Sequence, residues 1–422
     1  MTRIAIIGSG YVGLTTGVCF AHLGHDVTCA DIDEDKVASL NRGEVPILER
    51  GLDRLLADGL RRERLRFVVG AASAVAGAEF VLLCVPTPQG QDGAADLSFI
   101  HAACREIRPL LTPGCIVITK STVPIGSALA VAEMLDRDDV SVASNPEFLR
   151  EGHAVHDFLH PARIVVGSDD RSVAIKVASL YIGVTAPVIM TDTSSAETIK
   201  YVANVFLATK LSFINEVAGL CDKVGANVSD VVLGVGYDDR IGHAFLAPGP
   251  GWGGSCLPKD TRALLRTADE VGFDFSLLRG VIAANDEQQT RVVEKIRASA
   301  GGDVRGRRIA ALGLTFKAET DDLRDSPALG ILNRLRAEGA EIVAYDPTVR
   351  SPIDGMETVL DPYSACDQAA VLVVLTEWDE FRWLDMEKVA SMMDGDAVVD
   401  ARNMLDPTEV RRHGLVYQGI GR

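Results

Sequence analysis

Ile4-Ala5-Ile6-Ile7-Gly8-Ser9-Gly10-Tyr11-Val12-Gly13 decides the fold. The apolar run reads as a buried strand. Glycines follow at the spacing G-x-G-x-x-G, and a helical pattern comes next. Gly8 permits a tight turn, Gly10 lets the backbone approach a pyrophosphate, and Gly13 lets the helix pack close to the sheet. Phosphates then meet a helix N-terminus, where free N–H groups and the dipole favour negative charge. Asp31 ends the next strand, 18 residues beyond Gly13. A carboxylate there suits a ribose 2′-OH and repels a 2′-phosphate, which points to NAD rather than NADP. A Gly-rich loop that only turns the chain is the plainer alternative. The order strand, turn, helix, strand, acid argues against it.

Working outward, further apolar runs read as buried parallel strands: Phe80–Val85, Cys115–Thr119, Val140–Ala143 and Arg163–Val166. Helical patterns separate them, so the first stretch is a doubly wound α/β domain. From Ser195 to Lys223 there is no Pro and one Gly. Ser194-Ser195-Ala196-Glu197 has the form of a capping box, and Gly225 is placed as a stop. The spacing predicts one helix of roughly 28–30 residues, ~43 Å long. A helix of that length connects domains or builds a dimer interface. After Arg307, Ile309–Leu312, Glu341–Tyr345, Val371–Leu375 and Ala397–Val399 read as strands of a smaller α/β domain. There Ser326 is the N-cap of a helix with Pro327 at N1 and Gly339 beyond its end. The expected fold class is α/β, with two Rossmann-like doubly wound domains joined by a long central helix and a helical dimerisation region. The expected domains are 1–191, 192–302 and 303–422.

The 422 residues are 47% hydrophobic, too many for one ordinary core. The net charge of -17 repels nucleic acid and anionic membrane as a whole, so positive charge that receives a phosphorylated substrate must be local. No apolar run is long enough to span a bilayer. The first residues read as a strand rather than a signal peptide. Eight scattered cysteines without a C-x-x-C pair argue against zinc and a disulfide framework, and fit a reducing cytoplasm.

One cysteine stands apart. Gly249-Pro250-Gly251-Trp252-Gly253-Gly254-Ser255-Cys256-Leu257-Pro258-Lys259-Asp260 is dense in glycine, which exposes backbone N–H groups and admits a close ligand. Lys259, three residues on, is a cation that favours the thiolate of Cys256. A thiolate attacks an aldehyde to give a thiohemiacetal, whose oxidation gives a thioester. Asp260 is a candidate to assist proton transfer or orient water. The alternative is an inert cysteine in a Gly-rich turn, yet inert cysteines sit in apolar elements, as Cys84, Cys115 and Cys221 do.

Lys200 and Asn204 lie i, i+4 on the long helix, with Glu197 one turn before. They suit oxyanion stabilisation or water binding, and equally a solvated polar face. Asn145-Pro146-Glu147-Phe148-Leu149-Arg150-Glu151 follows a strand. Glu151 could activate water and Glu147 hold substrate, or the segment is a surface turn. Lys120-Ser121-Thr122-Val123-Pro124 ends a strand at the same edge, with Thr122 a candidate to hold a water or hydroxyl. For Val85-Pro86-Thr87-Pro88, a rigid loop and a contact with NAD both fit. His153, His156 and His160 share helical spacing, but no carboxylate or thiolate completes a metal set, and no metal is expected.

These segments together resemble the nucleotide-sugar 6-dehydrogenases, the UDP-glucose/GDP-mannose dehydrogenase family. The resemblance covers nearly the whole chain. It includes G-S-G-Y-V-G at Gly8, K-S-T-V-P at Lys120, N-P-E-F-L-R-E-G at Asn145, A-E-T-I-K-Y-V-A-N at Ala196 and G-W-G-G-S-C-L-P-K-D at Gly251. It continues through L-T-F-K-A-E-T-D-D-L-R-D-S-P at Leu314, T-E-W-D at Thr376 and D-A-R-N at Asp400. It implies an N-terminal NAD domain, a dimer-forming helical centre and a C-terminal nucleotide domain. It also implies two successive hydride transfers that take UDP-glucose to UDP-glucuronate. By the same resemblance, Cys256 carries the thiohemiacetal and thioester, Lys200 and Asn204 stabilise oxyanions, and Thr122, Glu151 and Asp260 serve the water and proton steps. Glu147, Phe148 and Leu149 line the substrate site with Lys200 and Asn204, and Phe245, Gly253, Lys317 and Arg402 contact the substrate. Arg240 reaches the substrate of a partner subunit in a homodimer. NAD is expected at Gly8, Gly10, Tyr11, Val12, Gly13, Asp31 and Lys36, and at Thr87, Thr122, Glu151, Lys259 and Arg324. Two departures bear on the sugar. Ala247 stands where the family often has Lys, and Leu257 where it usually has Phe. The Leu is shared with GDP-mannose dehydrogenases. GDP-mannose, a UDP-hexosamine and TDP-glucose are therefore alternative substrates, and a two-electron β-hydroxyacid dehydrogenase is a different class of reading that Cys256 and the third domain oppose.

Overall fold

Strand β1 (Arg3–Ile7) is the centre of the first sheet because four of its five residues are buried. The computed structural model describes residues 2–88, 90 and 95–422. They form two units, Met1–Ala203 with Arg262–Phe273, and Asn204–Thr261 with Asp274–Arg422. In the first unit β1 is joined by β2 (Asp26–Asp31), β3 (Leu65–Val69), β4 (Phe80–Leu83), β5 (Ile116–Thr119), β6 (Ser141–Ser144), β7 (Ile164–Gly167) and β8 (Val188–Thr191). The order is β3-β2-β1-β4-β5-β6-β7-β8. Only the contact of β6 with β7 is antiparallel. Alternate residues of a strand face opposite sides. Ile4 and Ile6 therefore enter one core with Leu14, Val18 and Phe20, while Ala5 and Ile7 enter another with Val81, Leu83 and Val117. The reversal of strand order between β1 and β4 leaves a crevice at the carboxyl ends, the usual place for a ligand in such a sheet.

The second unit holds β9 (Arg308–Leu312), β10 (Glu341–Tyr345), β11 (Glu357–Thr358), β12 (Val371–Val374), β13 (Ala397–Asp400) and β14 (Val416–Gly419). Their order is β11-β10-β9-β12-β13-β14. Counted from its own first strand, this is the order of the first six strands of the other sheet. The turn after the first strand is also repeated. Gly8 has φ +96° and donates its N–H to Ala30 at 2.8 Å; Gly313 has φ +92° and donates to Tyr345 at 2.8 Å. A Cβ on Gly8 would lie 2.7 Å from the Cys84 carbonyl, and one on Gly313 2.4 Å from Thr376. Both positions need glycine for conformation and for space. The helix Pro327–Ala337 begins with Ser326 as N-cap and Pro at its start, as its sequence predicts.

The long helix runs Thr193–Val224, 32 residues. It ends at Gly225, φ +72°, as expected. Its start differs from the expected capping box. Asp192 caps it, accepting the Ser195 N–H at 2.7 Å and the Ser195 hydroxyl at 2.7 Å. Glu197 is thereby placed inside the first turns and buried. It accepts the N–H of Gly126 at 2.6 Å and of Ala128 at 2.8 Å, at the start of the helix Ser127–Leu135. An acid of one helix thus caps another, which the local pattern cannot reveal. Replacing it leaves two N–H groups without their acceptor. Glu197→Ala should lower unfolding stability by ~1–3 kcal/mol, read by urea denaturation; a loss below a few tenths would show that water replaces the carboxylate at no cost.

Candidate active site

The cofactor turn is built as its sequence predicts. Gly10 precedes the helix Tyr11–His22. A Cβ on Gly10 would meet nothing within 4 Å, whereas one on Gly13 would lie 1.9 Å from the Gly8 carbonyl. The first leaves room for phosphates over a helix N-terminus; the second closes helix on turn. Asp31 Oδ2 accepts the Ser9 N–H at 3.1 Å, the Ser9 hydroxyl at 2.6 Å and the Lys36 ammonium at 2.9 Å. Burial opposes its ionisation, but Ser9 and Lys36 outweigh burial and hold the carboxyl at about 2. An ionised acid at the end of β2 fits a ribose diol, and the residues present fit NAD. Lys36 is pinned on Asp31 rather than free. The Tyr11 hydroxyl donates to Glu49 and accepts the Gly152 N–H at 2.6 Å, so it ties the cofactor helix to the loop after Glu151. Val12 is half-buried beside it. Thr87 and Thr122 are brought together, the Thr87 hydroxyl donating to the Thr122 carbonyl at 2.8 Å.

Glu147 and Lys200 form the strongest polar feature of the first unit. The Lys200 ammonium lies 2.8 Å from Glu147 Oε1, and both side chains are nearly inaccessible, 4% and 6% exposed. Glu147 Oε2 accepts the Leu149 N–H at 2.7 Å. Burial would raise the Glu147 carboxyl, yet the Lys200 charge and hydrogen bond, with Leu149 N–H and the Lys120 charge, hold it below the usual range. The surface-turn alternative for this segment is thus overturned for Glu147. Phe148 lies under the Arg163 guanidinium, 3.7 Å from its ring centre, and 5.5 Å from the Lys200 ammonium. Glu151 is half-buried at the end of the loop.

In the second unit, Cys256 immediately precedes the helix Leu257–Glu270, and its carbonyl accepts the Asp260 N–H at 2.9 Å. Cys256 therefore stands at a helix N-terminus, where the dipole favours negative charge. Cys256 is the one half-buried cysteine; the other seven are buried. The Ser255 hydroxyl lies 3.5 Å from its sulfur. Asp260 is wholly buried and is held by Asn204 Nδ2 at 2.6 Å and the Lys259 ammonium at 2.6 Å. The expected Lys259 charge is therefore paired with Asp260 rather than given to the sulfur alone. The glycines differ from the expectation in what they admit. A Cβ on Gly253 would lie 2.0 Å from the Asp325 carbonyl, and one on Gly254 2.7 Å from the Phe316 ring. These two accommodate another loop of the protein.

The remaining substrate candidates of this unit fall into two groups. Arg402 is anchored, donating to the carbonyls of Leu375 at 2.8 Å and Phe316 at 3.2 Å. The Lys317 ammonium sits 5.8 Å from the Phe316 ring centre. Phe245 has φ +60°, a strained conformation for an aromatic residue and one that marks functional segments. Arg240 and Arg324 are exposed, and each is forked onto a neighbouring acid, Asp238 and Asp322. Among the described residues no group of His, Cys, Asp and Glu could hold a metal ion.

The sequence does not single out Glu49, Asn145 or Tyr181, which hydrogen-bond to candidate residues or their neighbours, and it gives Lys120 only as part of a strand end. The Lys120 ammonium is buried and donates to Asn145 Oδ1 and the Tyr181 hydroxyl, both at 3.0 Å. Asn145 Nδ2 reaches the Val165 carbonyl at 2.7 Å. The one local signal was Lys at the carboxyl end of an apolar strand, where a charge is costly unless partnered.

Comparison with known proteins identifies the family of the chain. Residues 2–185 match the NAD binding domain of the UDP-glucose/GDP-mannose dehydrogenase family, 194–287 its central domain and 310–407 its UDP binding domain. The UDP-glucose 6-dehydrogenase of Rhizobium meliloti is 47% identical over 100% of this chain and 99% of its own length. A UDP-glucose dehydrogenase structure from Pyrobaculum islandicum superposes with a TM-score of 0.91 at 36% identity, covering 100% of this chain and 98% of that one. A UDP-D-ManNAc dehydrogenase structure from Pyrococcus horikoshii gives 0.90 at 29% identity, covering 100% and 99%. With all three family domains present in sequence order, the chain belongs to the UDP-glucose/GDP-mannose dehydrogenase family and is an NAD-dependent dehydrogenase.

Proposed function

We propose that the chain oxidises the C6 alcohol of UDP-glucose to the carboxylate of UDP-glucuronate in two two-electron steps, with Cys256 as covalent nucleophile. The observation that carries this reading is the setting of Cys256. It alone among the cysteines is half-exposed, at a helix start, one turn from a buried Asp260 held by Lys259 and Asn204. NAD⁺ supplies the electron acceptor for both steps, held at Gly8, Gly10, Tyr11, Val12, Gly13 and Asp31, with Lys36, Thr87, Thr122, Glu151, Lys259 and Arg324 around it. Lys200 and Asn204 stabilise the alkoxide and the oxyanions that follow. The Cys256 sulfur adds to the C6 aldehyde, giving a thiohemiacetal and then a thioester, so the half-oxidised sugar stays bound. Thr122, Glu151 and Asp260 hold the hydrolytic water and move its protons. Glu147, kept ionised beside Lys200, orients that ammonium and lines the sugar site with Phe148 and Leu149. Phe245, Gly253, Lys317 and Arg402 contact the substrate.

The same chemistry on another nucleotide sugar is the second reading. Leu257 and Ala247 favour it, as does the likeness to a UDP-D-ManNAc dehydrogenase. We also infer a homodimer. Phe206, Phe213, Leu220 and Val224 are 58–65% exposed on the long helix at spacings of seven, seven and four, one continuous apolar face. A second copy covering that face would explain its composition, and Arg240 would act on the partner's substrate. Eight free cysteines and the absence, among the described residues, of a helix able to cross a membrane fit a cytoplasmic enzyme.

End-point assays with UDP-glucose and GDP-mannose side by side should give two NADH per UDP-glucose. One NADH per sugar would reduce the enzyme to a simple alcohol dehydrogenase, and faster turnover of GDP-mannose would change the substrate. Cys256→Ser should lower kcat by at least ~10³-fold while NAD binding, followed by fluorescence titration, is retained; wild-type turnover would remove the covalent role. Phe213→Asp should convert the dimer to monomers in light scattering, and an unchanged mass would place the interface elsewhere.

A further inference from the structure

Asp346, at the end of β10, occupies in the second sheet the place that Asp31 occupies in the first. Each follows the second strand and turns its carboxylate back on the glycine turn after the first strand. Their surroundings differ. Asp31 keeps a partly exposed carboxylate and a lysine partner, as a ligand-reading acid should. Asp346 is 2% exposed. Its Oδ2 accepts Leu314 N–H at 2.7 Å, Thr315 N–H at 3.1 Å, Thr315 Oγ1 at 3.2 Å and Trp378 Nε1 at 3.1 Å. Its Oδ1 accepts Thr348 N–H at 3.0 Å and Thr348 Oγ1 at 2.8 Å. Six donors leave it no capacity for a ribose. The acid is spent on the turn itself.

That turn leads to the nucleophile loop. The Thr315 carbonyl accepts the Thr376 hydroxyl at 2.7 Å, the Leu314 carbonyl accepts Ser326 Oγ at 2.6 Å, and the Phe316 carbonyl accepts Arg402 at 3.2 Å. So fixed, the Phe316 ring lies where a Gly254 side chain would begin, 2.7 Å from an added Cβ, and the Asp325 carbonyl fills the same space at Gly253. Gly254 N–H also points to the Asp325 carbonyl at 3.4 Å. Cys256 comes two residues later.

We infer that Asp346 is a positioning residue: by clamping Leu314–Thr315 it seats Phe316 against Gly254 and thereby sets the place of the Cys256 sulfur. This rests on Cys256 being the nucleophile of the proposed reaction. Relocating a reacting group by an ångström costs on the order of 10²-fold in rate. Asn at this position keeps the shape but, in either orientation of its amide, turns one acceptor into a donor that faces N–H groups.

The test uses the full-length enzyme and three readouts on Asp346→Asn: kcat with UDP-glucose, NAD⁺ affinity by fluorescence titration, and the rate of Cys256 alkylation by iodoacetamide followed by peptide mass spectrometry. The other seven cysteines are buried, so the first alkylation reports Cys256. The expected result is a kcat lower by roughly 10–100-fold, an alkylation rate changed by several-fold and an NAD⁺ affinity within about twofold of wild type. Wild-type values of kcat and alkylation rate overturn the inference. So does a fall in kcat with an unchanged alkylation rate, because the sulfur would then be where it was. The alkylation readout needs no turnover, and the NADH count of the wild-type enzyme tests the covalent reading separately. Should Asp346→Asn yield no folded protein, Thr315→Val removes one donor of the clamp and is held to the same criteria, with a shift of roughly threefold in both readouts expected.

Discussion

An ammonium and a carboxylate that water scarcely reaches, Lys200 and Glu147, hold the site of the first unit in place. Taking either charge out of water is costly, and their contact at 2.8 Å, with the Leu149 N–H and the Lys120 charge, offsets that cost. Removing either partner takes from the other its closest buried opposite charge. The pair joins the long helix to the loop after β6, so the helix enters the site at one register. Glu197, one turn earlier, does the same work for the loop before the helix Ser127–Leu135. The first turns of the helix are thus held by two acids, its own and one from the sheet edge.

Charge is distributed against the overall balance. The chain carries -17, yet its site candidates gather Lys120 and Lys200 around one carboxylate in the first unit. In the second, Asp260 takes both Asn204 and Lys259. Each of these cations is met by an acid or an amide oxygen, while the chain as a whole remains acidic. Pairing also limits chemistry. A Glu147 held ionised beside Lys200 is suited to orient and not to donate a proton, and Lys259 divides its charge between Asp260 and whatever binds nearby.

Glycine has two distinct uses here. Gly10 leaves open space at a helix start, the requirement for a bound phosphate. Gly13, Gly253 and Gly254 are filled from inside, by the Gly8 carbonyl, the Asp325 carbonyl and the Phe316 ring. From composition the two uses look identical. Only the atoms opposite each Cβ position distinguish a cradle for a ligand from a seat for a neighbouring loop.

The sequence alone determined the alternation of strands and helices, the cofactor turn and the identity of the exceptional cysteine. Strands buried on both faces must be continuous apolar runs, and a glycine with φ near +90° between strand and helix has few substitutes. The half-exposed strand β3, the exposed β8 and the short β11 escaped, since an edge strand need not show such a run. Tertiary structure decided the rest. The capping box expected at Ser194–Glu197 does not form: Asp192, two residues ahead of it, caps the helix, and Glu197 finds N–H groups about 70 residues away in sequence. Glu49 meets Tyr11, Lys120 meets Tyr181 and Asp346 meets Trp378 across gaps of 38, 61 and 32 residues. A hydrogen bond between distant segments leaves no spacing in the chain, because the partners are chosen by how sheets stack their loops at one edge and not by residue count.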